Sequence, residues 1–475
     1  MTGATVGAPR PAGIADLPAP GAHVHLMGIG GAGMRGLALA LDRAGYVVSG
    51  CDRAPADALG DLAAQGITVE REHAPSHVSG ADLLVRSSAV PEDQPEVVRA
   101  GLAGVPVMRR ARALGALLNG QALVGIAGTH GKTTITAMAG HAAAAAGLDP
   151  LVLVGGRVDR WKGFTRPGDG PAIVEADEFD RSFLELQPTL AVVSSLEPEH
   201  LDTYGTWERL RSAFTEFAGR ARHAGGLIYC HDDEGARGLA EAAGFAGTRH
   251  GFGYGFGNGA WCRLEGTGPR ALRLSWPDGE IDLTLRVPGR HNRLNAAAAF
   301  LATVRLGGDP RAAARGLAGF RGVARRLEMI AAWPDLTVFD DYAHHPTEVA
   351  ASLAALREAY PEARLRVVFQ PHLFTRTRDF AGAFARALAL ADDALVLPIY
   401  PAREAPLPGV TSDLIAGGSG ASGAAAVLIE REDARCLVPP EVGAGEAVLV
   451  FMGAGDVTDL AHAAVQRRAG DAVGT

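Results

Sequence analysis

Lysine is nearly absent from this chain of 475 residues. It occurs only at Lys132 and Lys162, so arginine supplies almost all of the 45 basic residues. A lysine that survives such replacement marks a place that needs a compact point charge on a flexible stem. Cysteine is scarce as well. Cys51, Cys230, Cys262 and Cys436 stand far apart, with no Cys-x-x-Cys pair. That spacing gives neither a zinc ribbon nor a disulfide framework, and it fits reduced thiols in a cytoplasmic protein. No run of about 18 apolar residues occurs, so no membrane span is expected. Residues 1–20 lack the charged start and apolar centre of a signal peptide and read as a flexible tail. Solenoid-period repeats are missing too. The net charge of −8 carries no basic surplus, which argues against a nucleic-acid partner.

What remains is an ordinary globular composition, 47% hydrophobic and 21% charged. The length allows about three domains. Strands alternate with helices from His23 onward, which predicts an α/β fold with parallel sheets. The opening block reads strand His23–Met27, Gly turn, helix Met34–Ala44 and strand Tyr46–Cys51. A second strand–Gly loop–helix unit starts at Ala122–Ala127. Short alternating runs at Trp261–Leu264, Leu272–Trp276 and Ile281–Arg286 predict a small antiparallel section. A third α/β block holds strands Leu336–Asp340, Arg364–Phe369, Ala394–Leu397 and Ala447–Met452. The expected domains are 21–120, 121–324 and 325–475. The first and third are Rossmann-like, and the central one is of P-loop ATPase type.

The strongest motif is Gly128-Thr129-His130-Gly131-Lys132-Thr133-Thr134, set between a strand and a helix. Backbone N–H groups of such a loop and the helix N-terminus hold phosphates. Lys132 would reach the β/γ-phosphates and the Thr133 hydroxyl would bind Mg²⁺. The first Gly position of the strict P-loop pattern is Ile126 here, so the loop is a shorter variant. A second loop, Gly28-Ile29-Gly30-Gly31-Ala32-Gly33, fits a dinucleotide fingerprint with Asp52 at the end of the next strand. Glycines alone do not separate a NAD site from a UDP-sugar diphosphate site. Carboxylates follow at a strand end, Glu175-Ala176-Asp177-Glu178, where a second metal or nucleotide ligand belongs. Another strand leads to Glu199-His200-Leu201-Asp202, so one carboxylate and one imidazole on neighbouring loops could share a divalent cation. Four further charged runs stand at Pro288–Asn295, Arg325–Glu328, Asp340–Thr347 and Gln370–Arg378. The last two follow apolar strands, where α/β sheets place their sites.

Together these segments resemble the Mur ligases, the ATP-dependent enzymes that build the peptidoglycan peptide of the bacterial cell wall. The matching pieces are GIGGAGM at Gly28–Met34, SSAV at Ser87–Val90, GTHGKTT at Gly128–Thr134, EADEFDRSF at Glu175–Phe183 and EHLDTYG at Glu199–Gly205. They continue with GRHNRLNAAAA at Gly289–Ala299, RRLE at Arg325–Glu328, DDYAHHPTE at Asp340–Glu348 and YPAREAPLPG at Tyr400–Gly409. They keep the family order from about residue 21 to 455. Within the family the match is nearest to the branch that adds L-alanine to UDP-N-acetylmuramate.

The resemblance implies a set of roles. Gly28–Gly33, with Asp52, Ser87 and Ser88, would serve the UDP-sugar rather than NAD. Gly128–Thr134 would hold ATP, with Lys132 on the phosphates and Thr133 on a first Mg²⁺. Glu175 and His200 would hold a second Mg²⁺. Asn292 and Asn295 would lie at the adenine, and Arg326 and Asp341 would reach the nucleotide from the third domain. His344, His372, Arg376 and Arg378 would line the muramoyl and amino-acid side. Lys132, Glu175, His200, His344 and Arg376 form the expected catalytic set, with His344 or an Asp taking the amine proton.

The expected partners are UDP-N-acetylmuramate, L-alanine and ATP, in a monomer or homodimer with no membrane partner. Two departures stand out. Leu373 occupies a position that is usually Arg in this family. Residues 201–220 contain no Lys, so the carbamylated Lys of several sister ligases has no counterpart, as in the alanine-adding branch. Three other readings compete: a murein peptide ligase of the same family, a NAD-binding oxidoreductase or regulator, and a GTPase-like switch. The last lacks an Asn-Lys-x-Asp guanine signature.

Overall fold

The computed structural model describes residues 17–53, 56–199, 201–402, 404–417, 426–434 and 446–473. Three sheets carry the fold. The N-terminal sheet runs in the order Thr68–Arg71, Val47–Asp52, His23–Met27, Leu83–Arg86, Val107–Arg109. Its strands pair in parallel. The order in which strands are added reverses at His23–Met27, and the Gly28–Gly33 loop leaves that strand at its carboxyl end. This is the switch point where open α/β sheets bind ligands.

The central sheet has ten strands. Leu123–Ala127 lies inside it, between Leu190–Val193 and Ala172–Glu175. All five residues of Leu123–Ala127 are buried, as expected of a strand covered on both faces. Strands Leu151–Val158 and Gly163–Arg166 extend one edge, the latter antiparallel. The sequence reading missed both, because Gly155 and Gly156 interrupt the apolar run. At the other edge Cys262–Gly266, Ala271–Trp276 and Gly279–Thr284 are consecutive neighbours. Only two residues separate the last two strands, a connection that an antiparallel hairpin alone can use. Cys262–Gly266 itself joins Gly251–Gly255 in parallel.

The C-terminal sheet is parallel apart from Glu328–Ala332. Its buried centre is the strand pair Ala447–Met452 and Arg364–Phe369.

These sheets fall into two compact units. One comprises Met1–Glu265, Arg273–Leu283 and Leu294–Gly319, and the other Gly266–Leu272, Thr284–Arg293 and Phe320–Thr475. Within the first, the N-terminal and central sheets share one core. Helix Ala32–Arg43 presents Met34, Leu37 and Leu41 to it, and Leu153 of the central sheet belongs to the same cluster. Arg43 reaches across to Asp169 at 2.7 Å. Leu17–Pro20, expected in the tail, are held instead. Leu17 packs on this core, and the Tyr46 hydroxyl donates to the Pro18 carbonyl at 2.8 Å. The other tail residues lie outside the described ones. In the second unit separate apolar clusters cover the two faces of the C-terminal sheet.

Helix Pro310–Ala318 starts at Asp309, whose carboxylate accepts from Ala312 N at 2.8 Å. It packs on helix Lys132–Ala145 through Gly316. A Cβ there would stand 2.8 Å from Ala142 Cα, Ala145 Cβ and the His141 carbonyl. Backbone cannot yield as a side-chain tip can. Gly316→Ala should therefore cost about 1–3 kcal/mol of stability. Urea denaturation checks this, and an unchanged midpoint would show that the helices separate freely.

Candidate active site

The phosphate-type loop leaves the buried strand Leu123–Ala127 through Gly128 and enters helix Lys132–Ala145 through Gly131. Both glycines have positive φ, 138° and 83°. A Cβ on Gly128 would collide with Ser194 Oγ, and one on Gly131 would lie 2.7 Å from Asn295 Oδ1. Only glycine serves at these two places. The end of strand Leu190–Val193 fastens the loop. Thr129 N donates to the Ser195 carbonyl at 3.0 Å. His130 N donates to Ser195 Oγ at 2.9 Å, and Glu197 N donates to Thr129 Oγ1 at 2.9 Å. Ser194 Oγ donates to the His130 carbonyl. Thr134 is half-buried in the first helical turn.

Lys132 Nζ donates to the Gly128 carbonyl at 2.6 Å and to Glu178 Oε1 at 2.8 Å. Burial alone would push this ammonium down, but Glu178 and Asp177 hold it well above the ordinary lysine range. Burial pushes Glu178 up to about 7, against the pull of Lys132. Lys132 is held charged by the carboxylates around it.

Thr133 Oγ1 donates to Glu175 Oε1 at 2.9 Å, and Gly155 N donates to Glu175 Oε2 at 2.7 Å. The hydroxyl and carboxylate oxygens that the sequence reading assigned to metal therefore lie side by side. Hard oxygen donors at a phosphate-type loop suit Mg²⁺, so the residues present fit that ion. His200, the remaining expected metal ligand, lies outside the described residues.

Sequence reasoning missed three supports here. Glu178 is the partner of Lys132, a role that its place in the acidic run does not by itself assign. Gly155 cannot carry a Cβ, which would sit 2.8 Å from the Glu175 carboxylate. Ser194 and Ser195 brace the loop. The acidic run and the phosphate-type loop were visible signals for Glu178; nothing local marked Gly155.

In the N-terminal domain Gly28 has φ +80°. Gly28 N and Ile29 N both donate to the Cys51 carbonyl, at 2.9 and 3.2 Å. Gly30 N donates to Asp52 Oδ2 at 2.7 Å, so Asp52 braces the loop itself. Gly31 precedes the first turn of helix Ala32–Arg43, and a Cβ on Gly33 would meet the Arg110 guanidinium at 3.0 Å. Ser87 N donates to the Met27 carbonyl at 3.1 Å, and Ser88 Oγ donates to Asp180 of the central domain.

On helix Arg290–Arg305, Asn292 and Asn295 are buried. Asn292 Nδ2 donates to the Pro288 carbonyl at 2.8 Å.

The second unit collects the other expected residues. Arg325 and Arg326 both lie over the Tyr342 ring, at 4.8 and 5.0 Å. Much of the Asp340–Glu348 run builds a helix start. Glu348 Oε2 accepts from His344 N and His345 N at 3.1 and 3.3 Å, a capping box with Pro346 in the first turn. His344 Nδ1 lies 3.0 Å from the Tyr342 carbonyl, and its ring is 6.1 Å from His372, edge to face. Arg376 Nη1 is 3.3 Å from His372 Nδ1. These three form one cluster.

Arg378 instead points away to its neighbour Asp379, at 2.7 Å. Leu373 is buried with φ +70° and precedes helix Phe374–Leu388. Glu404 accepts from Thr375 N at 3.0 Å in the first turn of that helix. Lys162 is exposed, with φ +55°, at the end of a 3₁₀ turn.

Sequence models of three domains match the chain in order: Mur ligase family, catalytic domain, at residues 23–122; Mur ligase middle domain at 126–303; and Mur ligase, glutamate ligase domain, at 325–455. The chain belongs to the Mur ligase family. The UDP-N-acetylmuramate–L-alanine ligase of Paenarthrobacter aurescens is 44% identical to it, over 92% of this chain and 95% of that protein. The enzyme of the same name from Kineococcus radiotolerans is 46% identical, over 92% and 94%. The crystal structure of UDP-N-acetylmuramate-alanine ligase from Thermotoga maritima matches with a TM-score of 0.78 at 28% identity, covering 94% of this chain and 99% of that one. A murein peptide ligase from Psychrobacter arcticus shares the fold, with a TM-score of 0.65 at 21% identity.

Asp341, on the expected nucleotide side, is buried. Burial raises its carboxyl to about 6, against the lowering effects of Ser352 and Arg326. A folded-state value above the unfolded 3.8 means that the fold holds this proton more tightly. Stability is therefore lost as pH rises from about 4 to 6. Asp341→Asn abolishes that loss, so the variant should gain on the wild type between pH 4 and pH 7. The gain is roughly 3 kcal/mol at most. Denaturation at both pH values measures it, and an equal difference at the two would sink the assignment.

Proposed function

We propose that this chain joins L-alanine to the lactyl carboxylate of UDP-N-acetylmuramate, with cleavage of ATP to ADP and phosphate, in peptidoglycan synthesis. The observation that carries this reading is the whole-length likeness to enzymes of that name at 41–46% identity, together with Lys132, Thr133 and Glu175 brought to one loop. The reaction belongs in the cytoplasm with its nucleotide substrates. Among the described residues no helix is long and apolar enough to cross a membrane.

A carboxylate oxygen is a poor leaving group, so it must be activated before an amine can displace it. The lactyl carboxylate oxygen attacks the γ-phosphorus of ATP, the bond to the β-phosphate oxygen breaks, and ADP departs. The amine nitrogen of L-alanine then attacks the acyl carbon, loses a proton to a base, and expels phosphate. Each step brings anions together, so catalysis is alignment and charge neutralisation. Lys132 supplies one cation, fixed by the Gly128 carbonyl and by Glu178. The N–H groups at the start of helix Lys132–Ala145 supply partial positive charge. A first Mg²⁺ at Thr133 and a second at Glu175 and His200 would neutralise phosphate oxygens. Arg376, placed beside His372, meets the carboxylate substrates on the C-terminal side, and His344 accepts the amine proton. The Gly28–Gly33 loop holds the UDP diphosphate.

Phosphate release from ATP should require UDP-N-acetylmuramate and L-alanine together. Release with either one alone at the same rate would overturn the reading, and glycine or L-serine in place of L-alanine reads selectivity. Lys132→Arg should lower kcat at least about 10²-fold, the scale of a lost transition-state donor, with the circular dichroism spectrum preserved. A rate within a few-fold of wild type would remove Lys132 from the chemistry.

A further inference from the structure

We propose that the N-terminal domain contains a Zn²⁺ site built from His25, Cys51, His77 and Glu96, separate from the residues assigned to either nucleotide. These four come from four elements. His25 lies within strand His23–Met27, and Cys51 within the neighbouring strand Val47–Asp52. His77 lies in the 3₁₀ turn Pro75–Val78, and Glu96 in the first turn of helix Pro95–Leu102. The strand register sets His25 against Ser49 and Met27 against Cys51, so His25 and Cys51 share one face of the sheet. That face is the one covered by Val78, Val97 and Ala100, opposite helix Ala32–Arg43.

The four donor atoms lie within 4.8 Å of one another. Glu96 is the hub. Its carboxylate is 3.0 Å from His25 Nε2, 3.5 Å from His77 Nδ1 and 3.5 Å from Cys51 Sγ. Zinc bonds of about 2.0–2.3 Å give donor–donor edges of roughly 3.3–3.8 Å in a tetrahedron. The three spacings to Glu96 fall around that range, and the remaining ones, none above 4.8 Å, would close by about 1 Å at most on binding. Glu96 has no exposed surface and His25 is 1% exposed. His25 Nε2 and His77 Nδ1 are buried, and both approach the carboxylate without hydrogen-bond geometry. Two buried ring nitrogens aimed at one point, but not bonded to it, is the arrangement a shared cation satisfies.

The donor set selects the ion. A thiolate with two imidazoles and one carboxylate suits Zn²⁺ and disfavours Mg²⁺ or Ca²⁺. Two anionic donors balance the 2+ charge, and four protein donors leave no open position, as in structural zinc sites. The surroundings also fit. Ser49 Oγ lies 2.7 Å from His25 Nδ1 and 2.7 Å from His23 Nε2, which fixes the ring that presents Nε2. His73 Nδ1, 3.1 Å from Cys51 Sγ, is placed to hydrogen-bond the sulfur. Binding breaks the Cys51 S–H bond, forms a Zn–S bond and releases the proton to solvent, so uptake strengthens as pH rises. The Cys51 carbonyl accepts from Gly28 N and Ile29 N. The ion would therefore tie the base of the first Gly loop to the turn and helix behind it.

The test uses the full-length chain stripped with a chelator and reloaded. One Zn²⁺ per chain should survive desalting. Co²⁺ in its place should give a near-ultraviolet sulfur-to-cobalt charge-transfer band. Oxygen donors at Thr133 and Glu175 cannot produce that band, and the readout needs no turnover, so it stands apart from the ligase reading. Cys51→Ser should lose the band, and Ser49→Ala should weaken Zn²⁺ binding about 10–100-fold. Wild-type protein that retains no Zn²⁺, or binds Co²⁺ without the band, overturns the site even if the variants fail to fold.

Discussion

The ion pair between Lys132 and Glu178 is the constraint around which the central domain is arranged. Both groups are largely out of water, at 14% and 3% side-chain exposure. Removing one partner from such a pair costs about 3–5 kcal/mol, because the other charge is left stranded. The ammonium also satisfies the Gly128 carbonyl, so one flexible stem joins the loop to the acidic segment after strand Ala172–Glu175. A guanidinium is a planar fork of five donors and cannot replace this compact contact. That explains how lysine persists here in a chain that uses arginine elsewhere. Tyr204 closes the arrangement, its hydroxyl donating to the Glu178 carbonyl at 2.6 Å.

Sheet order determines what can surround that pair. Leu123–Ala127 lies between the strands ending at Glu175 and at Val193. Their carboxyl ends therefore deliver a carboxylate to one side of the loop and Ser194 and Ser195 to the other. The acidic side carries the charge chemistry, and the serine side carries the rigidity. Gly155 on the next strand completes the acidic side by donating to Glu175, a contact possible only without a Cβ.

Much of this was legible in the sequence, and the reason is periodicity. Strands such as His23–Met27, Ala172–Glu175 and Arg364–Phe369 are short apolar runs ended by polar residues, and their limits were read as observed. The phosphate-type loop was legible because its glycines need backbone conformations other residues avoid. Partnerships between distant segments were not legible. Nothing near Gly155 announces that it holds Glu175, and nothing near Asp180 announces that it accepts from Ser88. The Asp340–Glu348 run shows a different limit. Its density of charge read as a site, yet Glu348 spends its carboxylate on the helix start, while Asp341 and His344 keep chemical potential. Leu373 is similar. In place of the usual Arg it is buried, and Arg376, one turn further on, is the guanidinium beside His372.

The first Gly loop shows how a shared motif can be put to separate uses. Its glycines and its acidic residue fit the dinucleotide fingerprint, in which the carboxylate binds a ribose hydroxyl. Here Asp52 Oδ2 accepts from Gly30 N at 2.7 Å, and a Cβ on Gly30 would lie 2.9 Å from that carboxylate. Loop and carboxylate are thus in direct contact. Asp52 acts as a brace, as the Cys51 carbonyl does for Gly28 and Ile29. The end of the neighbouring strand thus holds the loop at three successive amides, those of Gly28, Ile29 and Gly30, and fixes its backbone before helix Ala32–Arg43 begins.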